Sequence, residues 1–222
     1  MGKKDTLEQT SFLPVKSSRV ESIYDIMFSM TDVCSMEQKH THSNRIQEYY
    51  CTLTSPAFAI PLIFFYMDVH LHSLTVQAIF ASVLAGIMST VYHATLYKIT
   101  STLDVCCAAI ANYVVCLAII SHKYGLRDSI FDHASMVVIT TLILLYGYNW
   151  KSTKYVVLPT MGFAAICQCI VLLIAGDFMA LSIGLVAISC YLLDKFKIAP
   201  LHPLWHVFGG LYLYFSLQHT MD

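Results

Sequence analysis

The chain has 222 residues, of which 57% are hydrophobic and only 12% charged, with a formal net charge of −1. Soluble domains carry about 25% charged residues, so this composition excludes an ordinary soluble domain and points to a polytopic membrane protein. A charge this close to neutral leaves no basic surface for a nucleic-acid partner.

In chain order, residues 1–46 form a polar N-terminal segment of mixed charge. Its first 20 residues hold no apolar core, so no cleavable signal peptide is expected. Apolar runs then follow at roughly 49–67, 74–97, 102–121, 134–149, 155–175, 178–194 and 203–218. The breaks between them are short: "DVHLHS", "YKITST", "SHKYGLRDSIFDH", "NWKSTK", "AGD" and "DKFKIAPLHP". A membrane-crossing helix needs about 20 residues, with a range down to about 17. The runs therefore predict an all-α fold, a seven-transmembrane helix bundle over residues 47–222. Lysine and arginine in short loops tend to stay cytosolic. Lys39, Arg45, Lys98, Lys151, Lys154, Lys195 and Lys197 on the N-terminal side, against Lys123 and Arg127 on the other, favour a cytosolic N-terminus. Six cysteines (Cys106, Cys107, Cys116, Cys167, Cys169, Cys190) lie inside the runs and read as small buried hydrophobes. With no CxxC pair, a thiolate zinc ribbon is not expected.

Polar and ionisable residues at membrane depth are expensive and mark functional sites. Ser89 and His93 lie four apart near the end of the second run, on one helical face. Asp104 opens the third run, and His202 and His206, again four apart, open the seventh. An odd-numbered span starts, and an even-numbered one ends, on the side of the N-terminus. All five residues therefore fall at one membrane level, whichever way the protein faces. Three histidines with an acid nearby form the ligand set of a catalytic zinc, which keeps its fourth position for water. A neutral imidazole ligand donates its other N–H to an outer partner, a role open to Asp104 or Ser89. His70, His72, His122 and His133 sit in the breaks and read as surface residues.

These motifs resemble those of the CREST superfamily of membrane hydrolases. S-x-x-x-H lies late in one span, an aspartate opens the next, and H-x-x-x-H opens the last. Within that superfamily the chain looks most like an alkaline ceramidase. "HATLYKITSTLD" is similar to that family's His-to-Asp step, and "HPLWHVFGGLYLYFS" resembles its H-x-W-W-H-x-x-x-G run. "IQEYYCTLTSPAFAIP" is similar to the stretch in which a glutamate precedes aromatic residues. The resemblance implies zinc on His93, His202 and His206, and catalysis by Ser89 and Asp104. It implies hydrolysis of a ceramide-like lipid to a sphingoid base and a fatty acid, in an endoplasmic reticulum or Golgi membrane. It further implies a calcium site, for which "TDVCSMEQK" offers Asp32 and Glu37 and the first run offers Glu48. Here the tryptophan, the first glutamate and the asparagine of the family's acidic segment are missing. Alkaline ceramidases place the N-terminus in the lumen, opposite to the charge bias. The alternatives are a phospholipid or GPI-lipid esterase of the same superfamily, and a receptor or membrane-remodelling protein with a structural zinc. Met88, Trp205 and Phe208 are candidates to line a lipid pocket.

Overall fold

A computed structural model describes residues 23–30, 46–67, 69–125, 130–148 and 153–221. The described residues are helical, with no strand among them and two isolated β-bridges, Met30 with Tyr97 and Leu71 with Met221. The helices are α1 (Ile23–Met27), α2 (Ile46–Thr54), a 3-10 helix (Ser55–Tyr66), α3 (Ser73–Thr95), α4 (Lys98–Lys123), α5 (Ile130–Tyr148), α6 (Thr153–Ala175), α7 (Phe178–Lys195) and α8 (His202–Gln218).

Among the described residues each of the seven apolar runs folds as helix, but four segments are long and apolar enough to cross a membrane: Ile46–Tyr66, Ser73–Thr95, Lys98–Lys123 and Phe178–Lys195. The apolar parts of α5 and α6 among the described residues, Asp132–Leu145 and Pro159–Ala175, are shorter, and α8 has 17 residues. The expectation of an all-helical membrane bundle is met, while the described residues supply four candidate crossings and not the seven expected. Lipid-facing surface is visible on α3, where Phe80, Leu84, Ile87 and Val91 are exposed along one stripe. The opposite stripe, Leu74, Ala78, Ser82, Ala85, Ser89 and His93, is buried. Ser89 and His93 therefore continue the core face of their helix.

The first crossing changes helix type halfway. Pro61 has no N–H to give the Ala57 carbonyl, the bond an α-helix would need there, and from Ser55 the chain tightens to a 3-10 helix of 12 residues. Runs of that type are normally only 3–4 residues long, so this one depends on its neighbours. The closest neighbour is α8. A Cβ on Gly210 would lie 2.0 Å from the Ala57 carbonyl oxygen and 2.5 Å from its carbon. On Gly209 it would meet the edge of the Phe58 ring at 2.8 Å. The backbone cannot yield as a ring can. Gly210→Ala is therefore expected to destabilise by at least the roughly 1–3 kcal/mol typical of overpacking. Gly209→Ala should cost less. Thermal unfolding of the two variants in one detergent compares them directly, and equal melting points would refute this account of the packing.

The connections fix the level of the polar residues. α3 ends at Thr95, two residues past His93, because Leu96 turns left-handed at φ 56 and donates its N–H to Tyr92. Leu96 is buried, which holds a leucine in a conformation it otherwise avoids. The chain reverses at once into α4, whose second turn carries Asp104. Residues 28–30 lie against this reversal: Phe28 packs edge-on to Tyr97, and the Ser29 carbonyl accepts from the Lys98 N–H at 3.0 Å. At the head of α8, Pro203 sits in the first turn, where a missing N–H costs nothing. His202 and His206 follow on one face.

Candidate metal centre

The three histidines meet. Ring centroids are 5.3 Å apart for His93 and His202, 5.1 Å for His93 and His206, and 4.9 Å for His202 and His206. His93 and His206 are buried, at 3% and 1% exposure. His202 is partly open, with its side chain 20% exposed.

Each ring has its Nδ1 engaged by a different group. His93 Nδ1 lies 2.5 Å from Glu48 Oε2, a carboxylate that accepts, so Nδ1 carries the proton. His202 Nδ1 lies 3.5 Å from Asp194 Oδ2, and Asp194 is fixed in turn by Gln47, whose Nε2 donates to Oδ1 at 2.6 Å. His206 Nδ1 lies 3.1 Å from Thr54 Oγ1 and 3.3 Å from Ser55 Oγ. Those hydroxyls give their own protons away, Thr54 to the Tyr50 carbonyl at 2.8 Å and Ser55 to the Cys51 carbonyl at 2.7 Å. They therefore turn lone pairs towards His206, and its Nδ1 is the donor. The Cys51 carbonyl also lies within hydrogen-bonding reach of that ring. His93 and His206, with Nδ1 as donor, each keep a lone pair on Nε2, the state a metal requires.

His93 Nε2 is buried and has no protein partner among the described residues. An orphaned polar atom in a dry interior costs about 1–3 kcal/mol, and a metal ion at Nε2 removes that cost. Three carboxylates, Glu48, Asp104 and Asp194, stand around the imidazoles, an arrangement that favours a cation. The donor set fits zinc, which takes imidazole and thiolate readily. Among the described residues, one group of ligand atoms lies within 4.8 Å of one another: Cys51 Sγ with a ring nitrogen each from His93 and His206. His202 stands beside that group and outside it.

Asp104 and Ser89 flank the cluster. The Asp104 carboxyl is within hydrogen-bonding reach of the Ser89 hydroxyl and interacts electrostatically with His93 and His202. Ser89 is buried, with its Oγ 3.0 Å from Ser55 Oγ. The five residues collected at one level from the order of the spans are thus brought together. Glu48, expected on a calcium ion, is buried at 2% exposure with its carboxylate on His93. Asp32 and Glu37 lie outside the described residues. Trp205 packs on Phe58 and Tyr191, and Met88 packs against Ala85, Cys107 and Ala111, so both serve the core. Phe208 is half-buried.

Cys51, Gln47, Thr54, Ser55 and Asp194 escaped the sequence reading. A signal for the first group exists. Gln47, Cys51 and Ser55 recur every four residues through an apolar run, with Glu48 beside them, which lays one polar face along the first crossing. Asp194 ends the sixth run, and the level rule that gathered the other five applies to it equally.

No family model, curated protein or solved structure matches the chain.

Proposed function

We propose that this protein is a zinc-dependent intramembrane lipid amide hydrolase of the ceramidase type. It would cleave a ceramide-like lipid to a sphingoid base and a fatty acid, in a seven-span bundle of an endoplasmic reticulum or Golgi membrane. The observation that carries the reading is the convergence of His93, His202 and His206, each with Nδ1 facing an outer acceptor, beside Asp104 and Ser89. His93, His202 and His206 would hold a zinc ion, which would supply an activated water near neutral pH and polarise the lipid carbonyl. Asp104 takes the proton of the attacking water on a carboxylate oxygen and passes one to the leaving amine nitrogen. The Ser89 hydroxyl, within reach of Asp104 and Ser55, would turn its single proton from Asp104 to the oxygen on which negative charge develops. Glu48 and Asp194 keep two rings in the tautomer and orientation that this arrangement needs. Siting these groups between apolar helices suits a substrate whose two tails stay in the bilayer. The calcium part of the resemblance rests, among the described residues, on Glu48.

Purified protein in detergent, incubated with ceramide and separately with phospholipid, tests the reading. Sphingosine and free fatty acid from ceramide are the expected products. Lysolipid instead would make the protein an esterase with the same site. Neither product from metal-loaded protein would leave a membrane protein with a structural ion.

A further inference from the structure

We propose that Cys51 is a protein ligand of the metal, alongside His93 and His206. This deepens the reading of the site as a zinc centre and depends on a metal being held there. The notable point is position. Cys51 Sγ and the ligand atoms of His93 and His206 all lie within 4.8 Å of one another. Ligands bound to one zinc at about 2.0–2.3 Å stand closer than that, so a small inward movement completes the shell. Two independent features direct the metal to this side of the cluster. His93 Nε2 is buried with no protein partner among the described residues, while its Nδ1 is taken by Glu48. His206 has its Nδ1 committed to Thr54 and Ser55, which leaves Nε2 as its metal-binding atom. The thiol is fully buried, which shields it from other chemistry.

The helix that carries Cys51 explains why it sits there. α2 and the first residue of the 3-10 helix supply Gln47 for the Asp194–His202 pair, Glu48 for His93, and Thr54 and Ser55 for His206. Cys51 is one turn from Gln47 and one turn from Ser55, at the centre of this face. It is the residue on that face with a soft donor atom, and zinc takes thiolate at least as readily as imidazole. On binding, the thiol loses its proton to solvent and the sulfur lone pair makes the metal bond. His202 then becomes the exchangeable member. It has the most exposed of the three rings and the longest link to its outer partner.

Cobalt substitution of the full-length protein tests this. Tetrahedral cobalt bound through sulfur shows a thiolate-to-metal charge-transfer band in the near ultraviolet, and an all-imidazole site does not. The band is expected in wild type, lost in Cys51→Ser and kept in Cys190→Ser. Zinc affinity in Cys51→Ser, read by competition with a chelator, is expected to fall by more than the roughly 10–100-fold that removal of an outer partner costs. A second arm needs no variant: the zinc X-ray absorption spectrum of the wild-type protein should require one sulfur neighbour at about 2.3 Å beside the nitrogens. Bound cobalt without the band, or a band that survives Cys51→Ser, overturns the proposal while ceramide hydrolysis can still stand. No bound metal in active protein overturns this proposal and the zinc mechanism together.

Discussion

His206→Ala is expected to empty the proposed metal centre and to abolish the proposed hydrolysis. The wild-type protein is expected to carry about one zinc, as a three-ligand catalytic site does. The variant should retain close to none. Turnover should drop by more than about 10⁴-fold, past the 10²–10⁴ that one proton-transfer group contributes. The argument is geometric. His206 is the most buried of the three rings, its Nδ1 is fixed by two hydroxyls, and its Nε2 lone pair has no alternative orientation. The same ring also packs edge-on against Phe58, with centroids 5.6 Å apart, so alanine leaves a cavity beside the 3-10 helix. A stability loss must be separated from a ligand loss. His206→Gln fills most of the space and offers no imidazole. It is expected to melt nearer to metal-free wild type than His206→Ala does, and to be as poor in zinc. Elemental analysis of purified protein, run beside the ceramide assay, decides the point. Full zinc content in His206→Ala, or active wild type without a transition metal, would refute the mechanism.

What the residues revealed in advance, and what they hid, follows from distance along the chain. The helices were legible because apolar runs between short polar breaks leave a lipid-embedded backbone no alternative to satisfying itself within each segment. The number of crossings was less legible. Apolar character persists through α5, α6 and α8, but length falls off, and a run such as 203–218 reads as a span only by composition. Ser89, His93, Asp104, His202 and His206 could be gathered because a chain that crosses repeatedly must return to the same level. That rule gives a level and not a contact. It could not say that Gln47 reaches Asp194 across 147 residues, or that Ser55 meets His206 across 151. Nor could it say that the first crossing would turn its polar face, Cys51 included, onto the histidines. Glu48 shows the other limit. Its motif resembled a calcium ligand, and nothing in that motif could say that its carboxylate also reaches His93.

Asp104→Asn should separate chemistry from metal binding. Asparagine has the shape of aspartate and keeps an oxygen that accepts from Ser89, so the packing of α4 against α3 should survive. It cannot take up a proton at neutral pH. If Asp104 moves the proton from the attacking water to the leaving amine, turnover should fall by about 10²–10⁴-fold, with zinc content close to that of wild type. The placement supports this division. The nearest partners of Asp104 are Ser89, His93 and His202, and the tight ligand group excludes it. The Nδ1 atoms of His93 and His206 are already served by Glu48, Thr54 and Ser55, and Asp194 stands 3.5 Å from that of His202, so Asp104 is not required to orient a ring. Its carboxylate remains available for a proton. Zinc loss as complete as in His206→Ala would instead make Asp104 a ligand. Turnover within a few-fold of wild type would remove it from the chemistry and leave the proton transfer to another of the surrounding carboxylates. The partly open His202 ring and its partner Asp194 would then be the pair to replace.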